Sequence, residues 1–158
     1  MKTHSTVSAR GRGFTIIELI IVLAIAAVLA TLAAPRYINS INRYRADVAA
    51  RRIAADLALA QSRARATSSS RVVAFDLSHN NYRLNGEADP DSLLKTYTVE
   101  LSAEPYRVAI STVSFGGNAT LSFNGYGVPD SSGSVQIKCG KEQRTIDIDG
   151  GTGVTSIR

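Results

Sequence analysis

The chain has 158 residues, 44% of them hydrophobic, with a formal net charge of +5, one cysteine and no tryptophan. That size allows one modest domain besides any membrane segment, and a lone cysteine excludes an intramolecular disulfide framework. His79 is the only histidine past residue 4, and no Gly-x-Ser-x-Gly, His-Glu-x-x-His or phosphate-loop pattern is present, so an enzyme reading has no motif to build on.

Lys2, Arg10 and Arg12, with His4, form a basic leader, and the 21 residues from Phe14 to Ala34 carry a single charge, Glu18. A helix of that length covers ~30 Å, enough to cross the hydrocarbon core of a bilayer. Basic flanks stay cytoplasmic, so the predicted topology is N-terminus in, with the rest of the chain on the far side. A cleaved secretory signal is the competing reading. It fits poorly, because the run exceeds a ~7–15-residue h-region and Ala33-Ala34-Pro35 is a weak cleavage site. A carboxylate costs ~2.5–3.5 kcal/mol at the centre of a span and less towards its end. A partner for Glu18 is therefore expected.

Gly13-Phe14-Thr15-Ile16-Ile17-Glu18-Leu19 after a basic leader resembles the class III signal of type IV pilins and type II secretion pseudopilins. The resemblance implies that prepilin peptidase cuts between Gly13 and Phe14, removing residues 1–13, and N-methylates Phe14. It implies that Glu18 pairs with a neighbouring subunit's N-terminal amine during assembly. Pro35 matches the family's helix-kinking proline. Further implied partners are other major and minor (pseudo)pilins and the inner-membrane assembly platform. The implied location is a bacterial inner membrane, single-pass with a periplasmic head, and then a pilus or pseudopilus.

Past Pro35, which should kink the helix, helical periodicity resumes. Tyr37, Ile41, Tyr44 and Val48 form one stripe, and Ile53, Leu57, Ala60 and Ala64 another. Asp47 is predicted to pair with Arg43 and Arg51, and Arg52 with Asp56, at i,i+4 spacing. Thr67-Ser68-Ser69-Ser70 ends the helix. The chain thus divides into a membrane half (14–35), an amphipathic half (36–67) and a β-rich head (71–158).

In the head, period-two runs predict about eight short strands. They are Val72–Leu77, Asn81–Leu84, Leu93–Leu101, Tyr106–Ile110, Ala119–Phe123, Ser134–Cys139, Gln143–Asp149 and Val154–Ile157. Ser78-His79-Asn80 and Gly140-Lys141-Glu142 read as hairpin turns, and Asn85–Asp91 as a loop. The fold class is α+β: a long kinked N-terminal helix packed on an antiparallel β head. Phe123-Asn124-Gly125-Tyr126-Gly127 and the glycine-led end, Gly150 to Arg158, resemble the GspH/FimT branch of the pseudopilins. That branch is associated with the assembly-initiating tip.

Charge is uneven. Residues 36–71 hold eight arginines against Asp47 and Asp56, or +6, while residues 72–158 hold 7 basic and 10 acidic residues, or −3. Arg43, Arg45, Arg51, Arg52, Arg63, Arg65 and Arg158 are candidates for contact with lipid headgroups or nucleic acid. The resemblance to FimT-like proteins, some of which bind DNA during natural transformation, implies the alternative function of a DNA-binding minor pilin. Against it, the Gly-Arg-x-Arg strand of FimT-like DNA binders survives here only as Arg158, in Gly153-Val154-Thr155-Ser156-Ile157-Arg158. No cofactor is expected. Calcium is a remote candidate at Glu87, Asp89 and Asp91, and more so at Asp147-Ile148-Asp149-Gly150, which lacks the distal Glu of an EF-hand. Cys139 reads as a small buried strand residue.

Overall fold

The computed structural model describes residues 13–89 and 92–158, apart from the side chains of 32–35 and 92–94. The basic leader (Lys2, Arg10, Arg12) and Asp91 lie outside the described residues. The chain divides into two units, one running to Tyr37 and the other Ile38–Arg158.

In the first unit helix α1 (Ile16–Thr67) begins. Thr15 caps it: its Oγ1 accepts the Glu18 amide at 3.2 Å, and its carbonyl accepts the Leu19 amide at 3.2 Å. The side chains described between Phe14 and Thr31 are exposed throughout, and the most apolar 18-residue window has a mean hydropathy of 2.8 with none of it buried. Such a helix is long and apolar enough to span a membrane. Pro35 lies within α1, and its side chain is outside the described residues.

The second unit contains the rest of α1 and eight strands. These are β1 (Arg71–Asp76), β2 (Asn81–Asp89), β3 (Ser92–Glu100), β4 (Ala109–Phe115), β5 (Thr120–Phe123), β6 (Gly133–Cys139), β7 (Glu142–Ile148) and β8 (Thr155–Ile157). They form two antiparallel sheets, ordered β3-β2-β1-β5 and β4-β6-β7-β8. Phe75 of β1 packs on Tyr82 at 5.4 Å between ring centroids and on Phe115 of β4 at 5.8 Å, joining the sheets. Against them lies a stripe of α1: Ala46, Ala49, Ala50, Ile53, Leu57, Ala60 and Ala64, each at most 1% exposed. These positions recur at three- and four-residue intervals, so they share one face. The alanines let the helix backbone approach the sheets closely, while Ile53 and Leu57 fill the space between.

Several expectations need correction. Tyr44 does not face the head; it is 69% exposed, and Tyr37 of the first unit is 70% exposed. Stepping back from Ile53 by four and three residues reaches Ala49 and Ala46, whereas Tyr44 sits half a turn away at ~100° per residue. Of the Tyr37-Ile41-Tyr44-Val48 series, Tyr37 and Tyr44 are exposed while Ile41 and Val48 are half-buried. Asp47 pairs with Arg144 of β7, Nε to Oδ1 at 2.6 Å, rather than with Arg43 or Arg51.

β4 runs over Ala109–Phe115 and not Tyr106–Ile110. Tyr106 and Arg107 instead close a turn onto the Ala103 carbonyl. A register shift between Ile110 and Thr112 breaks the period-two pattern, so the inward residues fall at Ile110, Val113 and Phe115. β2 also continues past Leu84 to Asp89 through an irregular register, taking in part of the expected loop.

The two stripes make a direct test. Leu57→Ala should destabilise the protein by ~2–5 kcal/mol, because it opens a cavity between helix and sheets. Tyr44→Ala should change stability by less than ~0.5 kcal/mol. Equal losses in denaturant unfolding would show that the outer stripe is also part of the core.

Candidate functional site

Gly13, Phe14 and Glu18, the residues expected to carry processing and assembly, lie at the exposed start of α1. A Cβ built on Gly13 meets no atom within 4 Å. Phe14 beside it is 83% exposed. Thr15 and Glu18 stand in the Thr-x-x-Glu spacing of a capping box, with Thr15 satisfying the Glu18 amide. This cap was missed in the sequence, although its spacing was there to read. It fixes the helix start so that Gly13 and Phe14 precede the first turn. The exposed Glu18 has no ion pair among the described residues. Its negative charge complements the positive end of the helix macrodipole.

The basic segment is less available than its composition implies. Arg45 reaches Glu104 at 3.5 Å, Arg52 reaches Asp56 at 3.0 Å, Arg63 reaches Glu87 at 3.6 Å and Arg158 reaches Asp147 at 3.4 Å. Arg65 donates Nε to the Tyr126 carbonyl at 3.2 Å. Arg43 and Arg51 are exposed without a pair among the described residues.

The polar feature that sequence reasoning missed is Asp56, which is 5% exposed in the middle of the buried helix face. Its Oδ2 accepts the Tyr82 hydroxyl at 2.5 Å and the Arg52 Nε at 3.0 Å. The Tyr97 hydroxyl lies 3.1 Å from both carboxylate oxygens and also bonds to Arg52. A buried charge is tolerable only when its lone pairs are occupied, and here β2 and β3 supply the donors. Burial, then the Asp56 charge, push the Tyr82 hydroxyl far above the usual phenol range. The same two causes raise Tyr97. Burial opposes the Arg52 charge, but Asp56 and then Tyr97 outweigh it and hold the guanidinium above its ordinary value. Only the i,i+4 spacing of Arg52 and Asp56 was visible in sequence; the tyrosines lie 26 and 41 residues further on.

Nearer its end, α1 grips two head loops. Gln61 Nε2 donates to the carbonyls of Gly127 at 2.8 Å and Thr152 at 2.7 Å. Gly127 has φ +73°, and a Cβ there would lie 2.3 Å from the Arg65 Nε. Only glycine fits. The Phe123-to-Gly127 and Gly150-to-Gly153 segments are thus the two loops clamped by the helix.

The remaining acidic candidates are turn-formers. Asp149 Oδ1 accepts the Thr152 hydroxyl at 2.7 Å and the Thr152 and Gly151 amides at 2.7 and 3.1 Å, which lowers its pKa. Asp76 accepts from the Ser78 hydroxyl and the His79 ring and amide, bonds that hold it well below the usual carboxylate range. His79 is thereby a turn residue. The Glu87 carboxylate faces Arg63 and Arg71, the second at 3.8 Å, and would have to leave both to take a cation. Asp89 lies on β2. Among the described residues no group of three His, Cys, Asp or Glu side chains could hold a metal ion. Cys139 is buried, with its Sγ 3.4 Å from the Arg107 carbonyl.

A single long helix, bare and apolar at its start and clamped to a two-sheet antiparallel head further on, is the pilin-like class of structure. Sequence profiles specify it further. The profile described as type II transport protein GspH matches residues 49–152, and the prokaryotic N-terminal methylation motif matches residues 8–34. The first covers more than half of the chain, which belongs to the GspH family of pseudopilins, a family of structural subunits. Comparison with curated proteins and with solved structures returned no match.

Tyr82→Phe removes one donor from buried Asp56 and should cost ~1–3 kcal/mol of stability. The folded-state pKa of Tyr82 lies above its unfolded value of ~10, so the unfolded chain releases that proton first as pH rises. Its contribution is complete below pH ~10 and declines above it. Unfolding midpoints from pH 7 to 11 should therefore fall less steeply in Tyr82→Phe than in wild type; parallel curves would exclude the buried-hydroxyl account.

Proposed function

We propose that this chain is a minor pseudopilin that initiates or caps a type II secretion pseudopilus or a related type IV pilus. It waits in the inner membrane, loses residues 1–13 to prepilin peptidase, and enters the filament through α1. The observation that carries this reading is the fully exposed apolar run, directly behind Gly13, Phe14 and the Thr15-capped Glu18. A helix surface this apolar, with none of its most apolar window buried among the described residues, is one that lipid or other helices would cover.

Prepilin peptidase would act at the exposed Gly13–Phe14 bond. Glu18 would then accept the amine of a neighbouring Phe14, relieving a carboxylate that is expensive in lipid. The outer helix face with Tyr44 would continue the packing surface beyond the membrane. Pairing of Arg45, Arg52, Arg63 and Arg158 with the protein's own carboxylates favours this reading over DNA binding.

Two substitutions test it in producing cells. Gly13→Leu should abolish cleavage, leaving the longer form on immunoblots; processed protein would refute the leader assignment. Glu18→Ala should leave membrane insertion and cleavage intact and reduce incorporation into sheared filaments roughly tenfold. Unchanged incorporation would remove Glu18 from the assembly mechanism.

A further inference from the structure

The second unit enters at Ile38, and α1 runs ~45 Å to its other pole. That pole is closed by a dense set of short-range hydrogen bonds. The helix closes in a Schellman arrangement, with the Ser69 amide on the Ala64 carbonyl at 3.2 Å and the Ser68 amide on the Arg65 carbonyl at 3.3 Å. Ser68 takes the left-handed position, φ 49°. Against this turn lies the 124–128 loop. Asn124 Oδ1 accepts the Tyr126 and Val128 amides at 2.9 and 3.0 Å, and the Gly127 amide returns to the Asn124 carbonyl at 2.8 Å. Gly125 sits so close that a Cβ would lie 2.8 Å from the Ser68 backbone.

So tightly held a loop nevertheless carries Tyr126 at 86% exposure, the most exposed large hydrophobic side chain among the described residues. Beside it is a surface pocket of about 550 Å³ lined by Arg65, Ser68, Asn124, Gly125 and Tyr126. The Arg65 stem crosses Gly127 and its Nε is fixed on the Tyr126 carbonyl. Its two Nη groups have no hydrogen bond or ion pair among the described residues.

We propose that this pole is a docking site for a carboxylate-bearing segment of a neighbouring pilin-like head, an inference that rests on the assembly reading above. Charge complementarity selects the occupant. Two Nη groups on a planar guanidinium match the two oxygens of one Asp or Glu. Glu87 is already shared between Arg63 and Arg71, and Arg65 has no ion pair among the described residues. Tyr126 adds what an interface anchor needs: a large amphipathic ring on a preorganised backbone, which loses little entropy when covered. The Ser68 hydroxyl can bond the rim of the same segment. The pole thereby supplies head-to-head specificity, which the apolar helix surface cannot give.

The test uses the full-length chain in producing cells, with a photo-cross-linking benzoylphenylalanine at position 126 and, separately, at Leu23 in the apolar run. Tyr126 adducts with another pilin-like subunit are expected, mapping by mass spectrometry next to an Asp or Glu. Arg65→Gln should reduce them roughly tenfold without affecting the Leu23 adducts, and Arg65→Glu combined with an Asp/Glu→Arg substitution of the mapped acid should restore them. Leu23 adducts without Tyr126 adducts would overturn the docking site alone. Absence of both would overturn the assembly reading and the docking site with it. Adducts insensitive to Arg65→Gln, or made to lipid or nucleic acid, would also overturn the docking site.

Discussion

One helix has to satisfy two solvents with the same backbone pattern, and the remaining architecture follows from that constraint. Between Phe14 and Thr31 the side chains are exposed, and all but Thr15, Glu18 and Thr31 are apolar. From Ala46 to Ala64 one narrow stripe is buried and the rest is wet. A helix meets both demands because its hydrogen bonds are internal, so its surface can change without any change in backbone. A strand could not do this, since its pairing would have to continue into lipid.

A stripe rich in alanine gives close approach but little apolar area per residue, so dispersion and burial alone hold such a face weakly. The helix compensates with directional contacts at successive depths. Asp47 engages Arg144 of one sheet, Asp56 engages Tyr82 and Tyr97 of the other, and Gln61 closes on two loops. Each contact also fixes rotation and register about the helix axis, because a one-residue slip would move every partner by ~100°. The outer face is therefore presented in one orientation, which any ordered packing between subunits requires.

How legible this was depends on whether the signal is local. The span, the Gly13-Phe14 junction and the Ile53-Leu57-Ala60-Ala64 stripe are written in consecutive spacing, and the structure places the stripe and the apolar run as expected. The strict alternation of Thr145 to Asp149 likewise marks β7. The Tyr37-Tyr44 stripe misled because periodicity reports that a helix has a face, not which neighbour covers it. β4 was displaced because its irregular register at Ile110–Thr112 destroys the alternation used to find it. Asp56 is legible only as half of an i,i+4 pair with Arg52, since nothing near it in sequence reveals the two hydroxyls that make burial tolerable. Thr15 was legible and overlooked. The residues that fix the helix on its head are those whose partners lie far along the chain.

On the proposed assembly, the energetic role of Glu18 follows from what the apolar run cannot do. Leaving lipid for a bundle of similar helices exchanges one apolar contact for another, so there is no hydrophobic gain to select position or partner. Ile and Leu side chains all around the helix tolerate many rotations and shifts almost equally. A single carboxylate near the helix start changes this, because its unfavourable solvation falls sharply only where a cation meets it. A term of a few kcal/mol, tied to one residue in a run of near-equivalent contacts, is enough to set the axial position of a subunit. The head can then supply only specificity between neighbours, which is consistent with its hydrogen-bonded pole and with turn acids such as Asp149 and Asp76 whose oxygens are used internally.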